Sequence, residues 1–254
     1  MNERSTRPDL EIDRDSVVVL CKRGVYPSHF DFSEEERAEH TRHHVDLMLS
    51  VCREHRLQGM EGYRLTPTRE PWQRFWIIEF PSFEGAEAWI EAEVEPPSGP
   101  YNFSEYHLGR RWGSGVFSRW ATRERPVIEP LQIQDMSILP HLKKYDGSVV
   151  VFGFAQRPTG HDWLGTDFDG YVESMKAVAE EHGLMGLEVF KVIDLQDSLH
   201  SVWIAEFETL EGAEAWSKAE EGSPQGGFGF KVMHLARRWA PEYFSTWVPS
   251  RQGR

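Results

Sequence analysis

The chain has little cysteine, little positive charge and no long apolar run. Cys21 and Cys52 are its 2 cysteines among 254 residues. They form no CxxC pair and no disulfide framework, which excludes structural zinc of the cysteine-rich kind. Lys and Arg total 28 against 41 Asp and Glu, a formal charge of −13. A nucleic-acid binder needs a basic footprint, and so does a protein drawn to an anionic membrane; this balance argues against both partners. No stretch approaches the roughly 18 apolar residues of a membrane span. The opening MNERSTRPDLEIDRDS has no apolar core of a secretion signal, so the expected compartment is the cytoplasm. There is no GxSxG elbow, no P-loop, no GxGxxG after a strand and no HExxH.

What the chain does have is aromatic bulk and a duplication. Aromatic residues make up 13%, with 10 tryptophans, enough to build a core or to line a pocket. WIIEFPSFEGAEAW, ending at Trp89, returns as WIAEFETLEGAEAW, ending at Trp216, 127 positions on. The same offset carries EHRLQGME at Glu54 onto EHGLMGLE at Glu181, and HLGRRW (His107 to Trp112) onto HLARRW (His234 to Trp239). It also carries FSRW at Phe117 onto FSTW at Phe244. Two repeats are therefore expected, at about 14–120 and 146–247, joined by a Pro-containing connector at 121–145. Ile128, Leu131, Ile133, Ile138 and Leu139 are the residues of that connector expected to be buried.

Each repeat reads the same way. Ser16–Leu20 is a β-branched run and predicts a buried strand. Ser33 with Glu36 forms a capping-box start. The helix after it predicts a buried stripe of Ala38, Thr41, Val45, Met48, Cys52 and His55. In the second repeat the stripe is Phe168, Val172, Met175, Ala179 and His182, stopped by Gly183. Strands follow around Met60–Leu65 and Phe75–Phe80, then a helix capped by Ser82 (Thr209 in the second repeat), then a strand over Phe103–Trp112. The order strand–helix–strand–strand–helix–strand is the ferredoxin-like split βαβ unit.

A ferredoxin-like half whose third strand ends in EF, followed by a Ser/Thr-initiated EGAEAW helix, resembles the dimeric α+β barrel superfamily. Antibiotic-biosynthesis monooxygenases, EthD and NIPSNAP groups belong to it. The implied fold is α+β, with tandem ferredoxin-like repeats closing an intramolecular barrel. The implied activity is that of an oxygenase working with no permanent cofactor or with a transient reduced flavin; haem is the alternative cofactor. GTDFDG at Gly165–Gly170 is one residue too long for the GxxDG of dye-decolorising peroxidases.

The candidate chemistry lies on histidines. Strand alternation puts Phe103, Glu105, His107, Gly109 and Arg111 on one face, with Leu108 turned to the helices. His107, and His234 in the second repeat, then have small neighbours beside them, where a neutral imidazole can act as base, proton shuttle or haem ligand. On the first helix His40 and His44 are four apart and share a face, while His43 turns outward. With Glu36 they have the spacing of a transition-metal site, but a solvated helix face is the stronger reading and no metal is expected. The second repeat has Asp167 and Tyr171 in place of His40 and His44, so this cluster belongs to one repeat. Glu79 and Glu206 are expected to pair with Arg111 and Arg238, and His55 and His182 to cap helix ends.

The expected function is that of a small-molecule enzyme of secondary metabolism. It would be an oxygenase for a hydrophobic aromatic or polyketide-like substrate, held between helices and sheet of the N-terminal repeat. His107, His44, His40 and His234 are the catalytic candidates; Tyr63, Trp76, Phe103, Glu105 and Arg111 are the pocket candidates. Alternatives are a histidine-ligated haem enzyme, a cofactor-free cyclase or dehydratase, and a non-catalytic ligand-binding barrel. A monomer or a homodimer is expected.

Overall fold

A computed structural model of the chain describes residues 10–66, 71–125, 148–156, 168–193, 199–222 and 231–239. The five connector residues named above lie outside them, as do Gly165–Asp167 and the FSTW segment. The described chain divides into two compact units.

The first unit is built from 14–109 with 237–239. Its elements are β1 (Val17–Val25), α1 (Glu34–Glu54), β2 (Gly59–Leu65), β3 (Arg74–Phe80), α2 (Phe83–Val94) and most of β4 (Asn102–Arg111). The sheet is antiparallel with strand order β4-β1-β3-β2. The local signals explain the elements. The Ser33 hydroxyl accepts the Glu36 N–H at 3.2 Å, and the Glu36 carboxylate accepts the Ser33 N–H at 2.8 Å, so α1 starts on a complete capping box. Ser82 caps α2 by accepting from the Gly85 N–H.

The register sorts the first unit's side chains. Val17, Val19 and Cys21 of β1 and Trp76, Ile78 and Phe80 of β3 face Met48, Val51, Cys52, Ala86 and Trp89 of the two helices. Val18, Leu20 and Lys22 take the other face. There they stand in rows with Gly109, His107 and Glu105 of β4 and Glu79, Ile77 and Phe75 of β3. Met48 and Cys52 of the expected α1 stripe are buried, but Ala38 is exposed: the first turn of α1 projects past the sheet. His55 closes α1, its N–H donating to the Val51 carbonyl.

The second unit takes 10–13 and 110–125, including the one-turn α3 (Ser114–Phe117), and most of the second repeat. Its elements are β5 (Val149–Gln156), α4 (Phe168–His182), β6 (Leu184–Val192), β7 (Leu199–Phe207), α5 (Leu210–Gly222) and β8 (Lys231–Arg238). The order β8-β5-β7-β6 repeats that of the first unit. Thr209 caps α5 as Ser82 caps α2. Gly183 leaves α4 at φ +68°, where glycine carries no Cβ penalty. Arg56, its counterpart after α1, adopts φ 57° without that freedom. Trp89 and Trp216 are 1% and 2% exposed at matching places. Burial of such a ring is worth roughly 4–6 kcal/mol of transfer free energy.

The observed class is therefore α+β with two ferredoxin-like repeats. Among the described residues no helix is long and apolar enough to cross a membrane.

Candidate functional site

The helix-facing side of the first sheet carries a buried polar cluster at its β4-β1 edge. Its centre is Glu93, on the inner stripe of α2 four residues past Trp89 and 8% exposed. Arg23 of β1 reaches it from the sheet, donating to the Glu93 carboxylate and to the Ser98 hydroxyl. His44 reaches it from α1, with Nε2 3.4 Å from Glu93 Oε1. Burial works against a charge here, yet Arg23 first and His44 second hold the Glu93 carboxyl down at about 2. A buried carboxylate stays ionised only when it is paired in this way.

Two polar atoms of the cluster are left over. His44 Nδ1 is buried without a hydrogen-bond partner, and so is the Tyr106 hydroxyl on β4. Cys21, beside Tyr106 in the register, has its thiol pushed well up, chiefly by burial. His44 thus turns Nε2 to Glu93 and leaves Nδ1 without a partner. A carboxylate that fixes the tautomer and angle of an imidazole, while the other nitrogen stays available, is the arrangement found behind metal-bound and basic histidines.

The expected site residues are split by the sheet. His40 and His44 lie on the helix side, and His43 is exposed as expected. His107 lies on the opposite face, so it cannot share a pocket with them. There its Nε2 is 2.7 Å from Glu105 Oε1, which also meets Lys22 Nζ at 2.6 Å. The hydrogen bond to His107 is the foremost cause holding Glu105 down at about 2. Tyr63 and Phe103 share this opposite face; Tyr63 donates to Glu61 at 2.8 Å. Trp76, expected in the pocket, sits in the helix-side core against Trp239, ring centroids 5.1 Å apart. On the helix side the polar groups that come together are instead Glu93, Arg23, His44 and Tyr106, with Cys21 beside them.

Two of the residues expected in ion pairs, Arg111 and Glu206, have partners from elsewhere in the chain. Arg111 pairs with Glu188 of β6, and Arg125 joins them at 2.8 Å. Glu206 receives Arg125 at 2.9 Å and the Ser148 hydroxyl. Burial opposes the charge on Glu188, and Arg111 and Arg125 hold its carboxyl below the usual range. In the second unit His234 packs edge-on to Phe154, centroids 5.7 Å apart.

Glu93 and Arg23 escaped the sequence reading, although a signal for Glu93 existed. The duplication extends past the tryptophans, so that Glu93 answers to Glu220 at the same offset, on the buried stripe of both helices. A carboxylate kept on an apolar stripe twice needs a partner twice. Arg23 has no such signal, since the residue in register with it in the second repeat is Ala155.

No family model matches the chain, and no curated protein does. Solved structures do match. A chlorite dismutase variant from Candidatus Nitrospira defluvii has a TM-score of 0.61 at 11% identity, over 93% of this chain and 97% of that one. That enzyme in complex with imidazole gives 0.59 at 10% identity, over 92% and 96%. A heme-binding protein from Thermus thermophilus gives 0.53 at 13% identity, over 90% and 93%. This chain has their fold. It is a ferredoxin-like α+β fold with two repeated domains.

Proposed function

We propose that the chain is a haem protein whose iron is held by His44 in the first repeat. The observation that carries this reading is the His44–Glu93 pair: one ring nitrogen faces a buried carboxylate and the other is buried with no partner. The residues present fit the group. A haem iron asks for a single imidazole, and a carboxylate behind that imidazole raises its basicity and fixes its plane. The likeness to chlorite dismutases and to a heme-binding protein favours haem over the flavin or cofactor-free oxygenase expected from the sequence.

When bound, haem supplies one-electron and oxygen chemistry. The chain supplies the setting. Glu93 holds the proton on His44 Nε2 and so keeps the lone pair at Nδ1. Arg23 keeps Glu93 ionised in a buried place, and so limits how much negative charge the carboxylate passes to the ring. The Tyr106 hydroxyl offers a proton donor on the same side of the sheet.

The test is titration of the purified full chain with haemin, followed by the Soret band. Saturation at one haem per chain, lost in His44→Ala and kept in His107→Ala, is the expected result. A flat titration overturns the haem reading. It would leave His44, with the same orphaned nitrogen, as the general base of a cofactor-free enzyme.

A further inference from the structure

Above His44 on α1, the turn between β1 and α1 builds an aromatic ladder. Phe30 meets His29 at 5.7 Å between centroids, and His29 meets Phe32 at 6.3 Å. Phe32 lies tilted by 31° on His40 at 5.1 Å, and Tyr101 closes the set edge-on, 4.7 Å from Phe32 and 4.9 Å from His40. Tyr26, Phe103 and Trp72 flank it, with Phe103 5.2 and 5.3 Å from the other two. The rim of this cluster is open: Tyr26 is 45% and Phe30 48% exposed. Two large side chains exposed side by side in one turn, continuous with a row of rings, are a feature that binding explains better than folding.

Guanidinium groups stand near the rings, among the carboxylates of Glu34, Glu35 and Glu36 in the first turn of α1. His29 is held below its ordinary range by burial first, then by the guanidinium groups of Arg74, Arg37 and Arg23. They reach it from β3, α1 and β1. Arg23 is committed to Glu93, and Arg74 is stacked 4.5 Å over Trp239. The Arg37 guanidinium, three residues before His40 on α1, has no ion pair among the described residues. The nearby Glu36 carboxylate is already engaged by the Ser33 N–H and hydroxyl.

We infer that this ladder is a binding site for a planar aromatic monoanion, an arene carboxylate or phenolate, with its ring on Phe30, His29 and Phe32 and its charge on Arg37. Flat faces stack on such a ligand without strict orientation, and a planar guanidinium matches a carboxylate in two-pronged fashion. The site stands apart from the haem reading, because none of its groups is His44 or Glu93.

Calorimetric titration of the full chain with 1-naphthoate tests it. One site per chain is expected, weakened at least tenfold in Arg37→Gln, only partly restored in Arg37→Lys, and weakened in Phe30→Ala. The uncharged 1-naphthylmethanol should bind at least tenfold more weakly than the acid. His44→Ala should bind naphthoate like the parent chain, which separates this site from the failure or success of haem binding. Absence of saturable binding, equal binding by Arg37→Gln, equal binding of acid and alcohol, or displacement of naphthoate by haemin each overturns the inference. Arg37 lies near the start of an exposed helix turn, so its variants test binding and not folding.

Discussion

Glu93 and Glu220 occupy matching places on α2 and α5, and each is buried to within a tenth of its surface. The first repeat answers Glu93 with the His44 imidazole and the Arg23 guanidinium. The second answers Glu220 with the Tyr171 hydroxyl, which donates to it. Around them Tyr106 is matched by Met233 and Cys21 by Gly153. The Gly153 position has no room for a side chain. A Cβ there would stand 2.0 Å from the Trp203 indole, which lies across the strand. Trp203 packs on Trp216 and fills the floor that Cys21 and Tyr106 line in the first repeat. One frame thus holds a buried cluster of Glu93, Arg23 and His44 in one copy and a Trp203–Trp216 core in the other. The frame is fixed by apolar stripes and caps common to both. The chemistry rests on a few positions where the copies differ.

The largest effect should come from breaking the first cluster's charge balance. Arg23→Met leaves the buried Glu93 with His44 alone, and should destabilise the fold by about 3–5 kcal/mol in denaturant titration. The pH dependence has a definite sign. Glu93 titrates below its ordinary range, so its contribution is complete above pH ~4.5 and is lost as pH falls through about 2. In the Arg23 variant that loss should begin at higher pH, visible as acid unfolding nearer neutrality. Ala155 shows that Glu220 manages without a cation at this position.

Next in size is the histidine itself. His44→Ala should weaken haemin binding by more than about 100-fold, whereas Tyr171→Phe should leave it unchanged. Equal losses in the two variants would erase the contrast between the repeats. Glu93→Gln should weaken haemin by about 10–100-fold, through loss of the tautomer control on His44. Tyr171→His tests the converse: haem stoichiometry should stay at one per chain, because Trp203 occupies the second floor. A second haem would show that the histidine alone makes the site. The smallest effect belongs to the cap. Ser33→Ala removes the capping box of the helix that carries His40 and His44, and should cost about 1 kcal/mol in thermal unfolding.

Much of the fold was legible in the sequence. The capping box at Ser33, the N-cap at Ser82, the stop at Gly183 and the helix-facing Leu108 are local signals, and each stands where the residues place it. The candidate site was legible in part. His40 and His44 were visible as a same-face pair in one repeat only. Their separation from His107 was implicit in the alternation that turns Leu108 to the helices, although the expected pocket grouped the three histidines together. The pairing of Arg111 with Glu188 was not legible. Charge complementarity cannot choose among several carboxylates, and Glu188 and Arg125 come from other parts of the chain.

By itself, then, the sequence determined the duplication, the order of elements and the stripes that pack each sheet against its helices. These follow from periodicity, which is set by backbone geometry within a few residues. Only the tertiary structure decided that Arg23, His44 and Glu93, which are 21 and 49 residues apart along the chain, meet in one buried place. A buried charge is tolerated only where its partners converge, and convergence depends on how β1, α1 and α2 are stacked, which no single segment encodes.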